Sequence, residues 1–204
     1  CMPVKENLIS YETTNSYSTL NSITDKTENI WIACHGLGYL SKYFIRYFMG
    51  LQKESNYIIC PQAPAKYYQG NDFKYVGASW LTKENTALET ENVLNYLDAI
   101  HQVEKVNFKD KRIILMGYSQ GVSVVMRWMS KRQIECQDLI IHSGSIPKEL
   151  KNSDFDHHRK MNVHLIYGNQ DEYINDEKLT NQLNLAKNLF PSQLKVYEFD
   201  GKHE

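Results

Sequence analysis

Long apolar runs are missing from this 204-residue chain. No stretch approaches the roughly 20 apolar residues that a membrane-crossing helix needs. The N-terminal stretch is polar and lacks the apolar core of a secretory signal. Excess charge of either sign is missing too. The formal net charge is -1, which gives no reason to expect nucleic acid or an anionic membrane as a partner. Glycine never gathers into G-x-G-x-x-G or a P-loop, so neither a dinucleotide nor a nucleotide phosphate finds a ready cradle. Cysteine is scarce and scattered. Cys34, Cys60 and Cys136 form no C-x-x-C pair, and the first two lie in apolar, strand-like runs. They read as small buried hydrophobes in a reducing compartment, not as disulfide partners or zinc ligands. Cys1, which precedes Met2, is set apart from the other three. Repeats and low-complexity tracts are also absent. The expectation is a soluble, cytoplasmic protein, and a 42% hydrophobic composition suffices for the core of one domain over residues 1–204.

What is present centres on Arg112 to Val125. An apolar run, Ile113-Ile114-Leu115-Met116, leads into Gly117-Tyr118-Ser119-Gln120-Gly121, and apolar residues then continue at helical spacing. G-x-S-x-G between a buried strand and a helix has the form of a nucleophile elbow. A serine at the tip of so tight a turn is held in a strained backbone conformation that exposes its hydroxyl. Side chains two residues to either side would collide with the turn, which suits Gly117 and Gly121. The plainer alternative is an ordinary Gly/Ser turn, so the rest of the chain must supply partners.

Apolar runs at Asn29–Cys34, Tyr57–Cys60, Asp138–His142 and Asn162–Tyr167 read as further buried strands, and Leu194–Phe199 as a half-exposed edge strand. Residues 7–20 suit an exposed edge strand or hairpin. Helical periodicity marks Tyr39–Lys53, Glu84–Val103 (Leu88, Val93, Leu94, Leu97 and Ile100 on one face) and Asn175–Leu189. Residues 61–80 read as a long loop with five aromatics, and 147–160 as polar and irregular. Strand–helix alternation predicts an α/β fold with a mostly parallel sheet covered by helices on both faces.

In such a sheet, chemistry gathers beyond the C-terminal strand ends. A serine hydroxyl needs a base, and the base needs an acid to hold its tautomer. The chain order that accompanies this elbow is Ser, then Asp or Glu, then His. Among the histidines after Ser119, only His203 also follows Asp171. His164 lies within a strand, and His157 and His158 sit in a polar segment and read as surface residues. No acidic cluster gives them or His142 metal-ligand spacing. Asp200 stays open as an alternative acid, Glu172 is a neighbouring decoy, and Asp176 is better explained by a helix start. Two backbone donors must stabilise the oxyanion: the amide of Gln120, after the serine, and that of Leu37 in His35-Gly36-Leu37-Gly38. His35 itself reads as a brace for that loop.

Taken together, His35-Gly36-Leu37-Gly38, Gly117-Tyr118-Ser119-Gln120-Gly121, Ser143-Gly144-Ser145-Ile146-Pro147, Gly168-Asn169-Gln170-Asp171 and Gly201-Lys202-His203 resemble the phospholipase/carboxylesterase family of α/β-hydrolases, from about Ile30 to Glu204. That family includes acyl-protein thioesterases and small bacterial carboxylesterases, and Gly77-Ala78-Ser79-Trp80-Leu81-Thr82-Lys83-Glu84 looks more like the bacterial branch. The resemblance matches Ser119, Asp171 and His203 to a triad and Leu37 and Gln120 to the oxyanion donors. It also places Trp80 near an acyl pocket, which Tyr67, Tyr68 and Leu37 would complete. Three departures stand out: Val122 in place of a second glycine after Gly121, Lys202 in place of glycine before His203, and Tyr39 where many members carry a polar or acidic residue. The family's helix after its histidine is expected to be lacking or not shown here.

The function expected is a carboxylic-ester hydrolase working through an acyl-enzyme on a small-molecule ester or acyl substrate, with no cofactor and no metal. A thioesterase or amidase using the same triad is one alternative. A ligand-binding, receptor-like α/β-hydrolase with slow or no turnover is another. The 14 tyrosines leave a homodimer face open.

Overall fold

The computed structural model describes residues 2–204, so Cys1 lies outside it. Nine strands and four α-helices follow in the order β1 (Tyr17–Leu20), β2 (Asn29–Cys34), α1 (Ser41–Phe44), β3 (Asn56–Pro61), β4 (Ala65–Tyr68), β5 (Val76–Ser79), α2 (Thr86–Glu104), β6 (Arg112–Tyr118), α3 (Gln120–Arg132), β7 (Asp138–His142), β8 (Asn162–Gly168), α4 (Asp176–Leu189) and β9 (Leu194–Phe199). Seven strands form one sheet in the order β1-β3-β2-β6-β7-β8-β9. All neighbours are parallel except β1, which runs antiparallel to β3 along one edge. The mostly parallel sheet of an α/β fold expected from the sequence is therefore present.

The chain steps from β2 to β3 on one side and then crosses to β6 on the other, so strand order reverses between β2 and β6. Such a switch point leaves a crevice beyond the carboxyl ends of the two strands. His35 and Ser119 are the first residues past those ends.

Side chains alternate between two cores, as a pleated sheet requires. Leu115, Leu139, Ile141, Val163 and Leu165 face the larger core, against Val93, Leu94 and Leu97 of α2 and Val124, Val125, Trp128 and Met129 of α3. Ala33, Ile58, Cys60 and Tyr118 face a smaller one, covered by Phe44, Ile45 and Phe48. Beyond β6 that second face is open: Ile114, Ile140, His164, Ile166 and Tyr197 border a cleft of about 320 Å³. No helix among the described residues is long and apolar enough to cross a membrane.

The structure corrects four readings. The helix expected over 39–53 is one short turn, α1, continued by a 3-10 segment at Ile45–Phe48. Tyr43, Phe44, Tyr47 and Phe48 are poor helix formers whose rings are placed by packing, and of these four rings only Phe44 and Phe48 enter the core, beside Ile45. The loop expected at 61–80 holds the β4–β5 hairpin; β4 is exposed throughout, so no alternation betrays it. Leu88 points outward from α2. Residues 152–158 form two short 3-10 turns joined by a kink at Phe155, and His158 is buried because Phe155, packed on Phe190, draws the segment in. His158 Nε2 donates to the Ile134 carbonyl, and burial lowers its pKa to about 4.

Candidate active site

Ser119 links β6 to α3 with φ 55° and ψ −120°, a conformation costly for any residue with a Cβ. The turn closes only because its flanks are bare. A Cβ on Gly121 would lie 2.1 Å from the Cys34 carbonyl oxygen, and one on Gly117 would lie 2.4 Å from the Val122 Cα. The Ser119 amide donates to the His142 carbonyl at 2.9 Å, which pins the turn to β7. At the amino end of α3, the serine oxygen also sits where the helix dipole favours negative charge.

His203 Nε2 lies 2.8 Å from Ser119 Oγ, and His203 Nδ1 lies 2.8 Å from Asp171 Oδ2. A carboxylate only accepts, so it holds the proton on Nδ1 and leaves Nε2 free to receive one from the serine. The Asp171 side chain is closed to solvent, and its other oxygen accepts the Tyr173 amide at 2.8 Å. The strand-end loops carrying these groups are laced together: Asn169 N donates to Phe199 O at 2.9 Å and Gln170 N to Gly201 O at 2.7 Å. Asp200, the alternative acid, faces Gln170 Nε2 at 3.5 Å instead of the imidazole. Glu172 reaches the His203 amide, at 3.5 Å, instead of its ring, and Asp176 begins α4.

The loop after β2 presses against the serine, since a Cβ on Gly36 would come within 3.0 Å of Ser119 Cβ. His35 is fully buried and sets this loop's direction. Its Nε2 accepts the Ala63 amide at 3.0 Å, which places the ring proton on Nδ1, and Nδ1 donates to the Gly36 carbonyl at 2.7 Å. Burial pushes the His35 pKa down to about 4, so the ring is neutral near pH 7. In a planar trans peptide the N–H points opposite the C=O. Fixing the Gly36 carbonyl therefore turns the Leu37 N–H away from the protein, and it finds no protein acceptor among the described residues. Gln120 is the first residue of α3, where a backbone N–H has no partner within the helix. Two free amides thus flank the serine.

Three features of this region are not readable from sequence spacing. The β4–β5 hairpin is fastened to the loop: Gly38 N donates to Ala78 O at 2.9 Å, and Gln69 Nε2 donates to Gly38 O at 2.8 Å. The Gln120 carboxamide accepts the Trp80 amide at 2.9 Å and donates to Leu81 O at 2.8 Å and Ser79 Oγ at 3.1 Å, tying the elbow to the segment after β5. Tyr118 packs its ring against His203, with centroids 5.4 Å apart.

The expected pocket residues are not gathered together. Trp80 is 1% exposed: its indole N–H donates to the His35 carbonyl at 2.8 Å, and its ring lies 5.1 Å from the His35 ring. A buried indole needs a hydrogen-bond acceptor, and the carbonyl beneath the loop supplies it, so Trp80 supports the loop from below instead of lining a cleft. Tyr67 is partly exposed on the hairpin near Gly38, Leu37 is exposed, next in the chain to the Gly36 that abuts the serine, and Tyr68 turns to the hairpin tip against Phe73.

Known proteins share this architecture. Acyl-protein thioesterase 2 of Zea mays superposes with a TM-score of 0.69 at 14% identity, covering 93% of this chain and 91% of that one. A phospholipase/carboxylesterase of Dyadobacter fermentans gives 0.67 at 14% identity over 96% and 92%. Esterase PE8 gives 0.65 at 19% identity over 93% and 91%. At such identities the likeness is one of fold. No curated protein matches the sequence. The family model for Phospholipase/Carboxylesterase, however, matches residues 15–204, a span that contains the elbow, both strand-end loops and the histidine segment. The chain belongs to the phospholipase/carboxylesterase family.

Proposed function

We propose that the protein is a serine ester hydrolase. The observation that carries this reading is the unbroken hydrogen-bonded line Ser119–His203–Asp171, with both contacts at 2.8 Å, beside two unpaired amides. Ser119 Oγ attacks the carbonyl carbon of a bound ester while His203 Nε2 takes its proton. The carbonyl oxygen becomes an oxyanion facing the Leu37 and Gln120 amides, each worth roughly 3 kcal/mol to the transition state when well placed. Asp171 stabilises the imidazolium. His203 then returns the proton to the leaving oxygen, the alcohol departs, and the acyl group stays on Ser119. Water, deprotonated by His203, attacks this acyl-enzyme. The carboxylic acid leaves and the serine is restored. Water is the only co-reactant the sequence of steps requires.

Leu37 follows Gly36, which abuts Ser119, and Tyr67 approaches Gly38; we assign the acyl group to the exposed side chains of these two residues. A thioester would follow the same path with a better leaving group. One acyl group presented as ester, thioester and amide separates these substrates by kcat/KM. The hydrolase reading itself is tested with a fluorophosphonate probe: the wild type is labelled and Ser119→Ala is not. Equal labelling of the two proteins would sink it, and slow single-turnover acylation would favour a receptor-like protein.

A further inference from the structure

His203 lies in a segment without regular secondary structure, yet the reaction proposed above needs its ring held within a fraction of an ångström. Asp171 holds the ring at Nδ1, and Tyr173 meets its face edge-on at 4.9 Å. The backbone of His203 has separate supports. Its carbonyl accepts the Tyr118 phenol at 3.2 Å, and its amide approaches Glu172 Oε2 at 3.5 Å, a longer and weaker contact. These two residues adjoin the other members of the site in sequence: Tyr118 precedes Ser119, and Glu172 follows Asp171.

Tyr118 is a rigid mount. It ends the central strand β6, is 5% exposed, stacks on Phe44, and meets Tyr39 and His142 at 5.6 and 5.1 Å. Burial raises its pKa, so the phenol keeps its proton and acts as a donor. A phenylalanine would fill the same space, so the packing alone gives the hydroxyl no role. We infer that Tyr118 is a positioning residue for His203, its hydroxyl fixing the histidine backbone to the strand that bears the serine. Ser119 and its base are thus referenced to one piece of rigid structure. This inference rests on the ester-hydrolase reading for its kinetic consequence, but not for its structural one.

The test compares Tyr118→Phe, which removes only the hydroxyl, with wild type in two measurements. In steady-state hydrolysis of an aryl ester, kcat falls about five-fold with KM unchanged, the size expected for one lost neutral hydrogen bond. In nitrogen-15 spectra of the imidazoles, the His203 signals, identified by their loss in His203→Gln, broaden or double while those of His35 do not. Glu172→Ala adds a smaller loss on top, which Glu172→Gln restores because its carbonyl oxygen still accepts the amide. Wild-type kcat together with wild-type His203 signals in Tyr118→Phe would overturn the inference and reduce Tyr118 to packing. A wild-type protein that hydrolyses no ester would sink the hydrolase reading instead, and the spectra would still decide the role of Tyr118.

Discussion

His35 ties the chemistry of one ring to the stability of the whole chain. Its neutral form fits two fixed partners, an amide that donates to Nε2 and a carbonyl that accepts from Nδ1. Protonation would set Nε2–H against the Ala63 N–H. With the pKa lowered from 6.5 to about 4, the unfolded chain binds a proton between those values that the folded chain does not. Stability contributed by this group is therefore intact above pH 6.5 and lost as pH falls toward 4, with a slope of at most about 1.4 kcal/mol per pH unit. His158 acts in the same direction. Urea midpoints measured from pH 7 to 4 should fall along this limb. His35→Asn should lower stability at pH 7 yet flatten the limb, and an unchanged slope would show that His35 is not its source. At this scale the sequence was informative where motif and chain order converge: the elbow pattern marks Ser119 and order marks His203 after Asp171, while Asp200 stayed open as the acid. The Gln120 carboxamide, the Tyr118 hydroxyl and the burial of Trp80 were not legible, because each depends on a partner 39 or more residues away.

Among the elements, the β4–β5 hairpin has the most consequence for the proposed reaction. It lies flat on the Gly36–Gly38 loop because both contact surfaces are bare backbone. A Cβ on Gly77 would come 2.6 Å from the Gly38 carbonyl oxygen. Gly77→Ala should lift the hairpin and let the Leu37 amide turn, lowering kcat/KM about ten-fold or more, since small misplacements in an active site are expensive. Urea unfolding should change little, because β4 is exposed along its length. Full activity in Gly77→Ala would show that hairpin and loop are independent. The long helices and buried strands were legible because each repeats one environment over many residues: α2 and α4 begin within two residues of their expected starts. The hairpin and the short turn of α1 were not. Four exposed residues carry no period, and an aromatic-rich run follows its packing more than its propensity.

For the molecule as a whole, topology explains why groups 84 residues apart in sequence, Ser119 and His203, meet at one hydrogen bond. Parallel strands deliver all their carboxyl ends to the same side, and the reversal between β2 and β6 opens the space they share. The same sheet seals three sulfur atoms. Cys34 and Cys60 lie in β2 and β3, and Cys136 lies just before β7, all at most 6% exposed. Burial raises each thiol pKa, that of Cys136 to about 12. A thiol that is neither reachable nor ionised cannot react with an alkylating agent until its strand leaves the sheet. The three sulfurs are therefore built-in timers of opening. In maleimide pulses at rising urea, read by peptide mass, Cys34, Cys60 and Cys136 should be modified in step, as one cooperative sheet requires. A lead by Cys136 would mean that the β7 side of the sheet, which carries Asp171 and His203 beyond it, comes apart before the β2 side that carries the oxyanion loop.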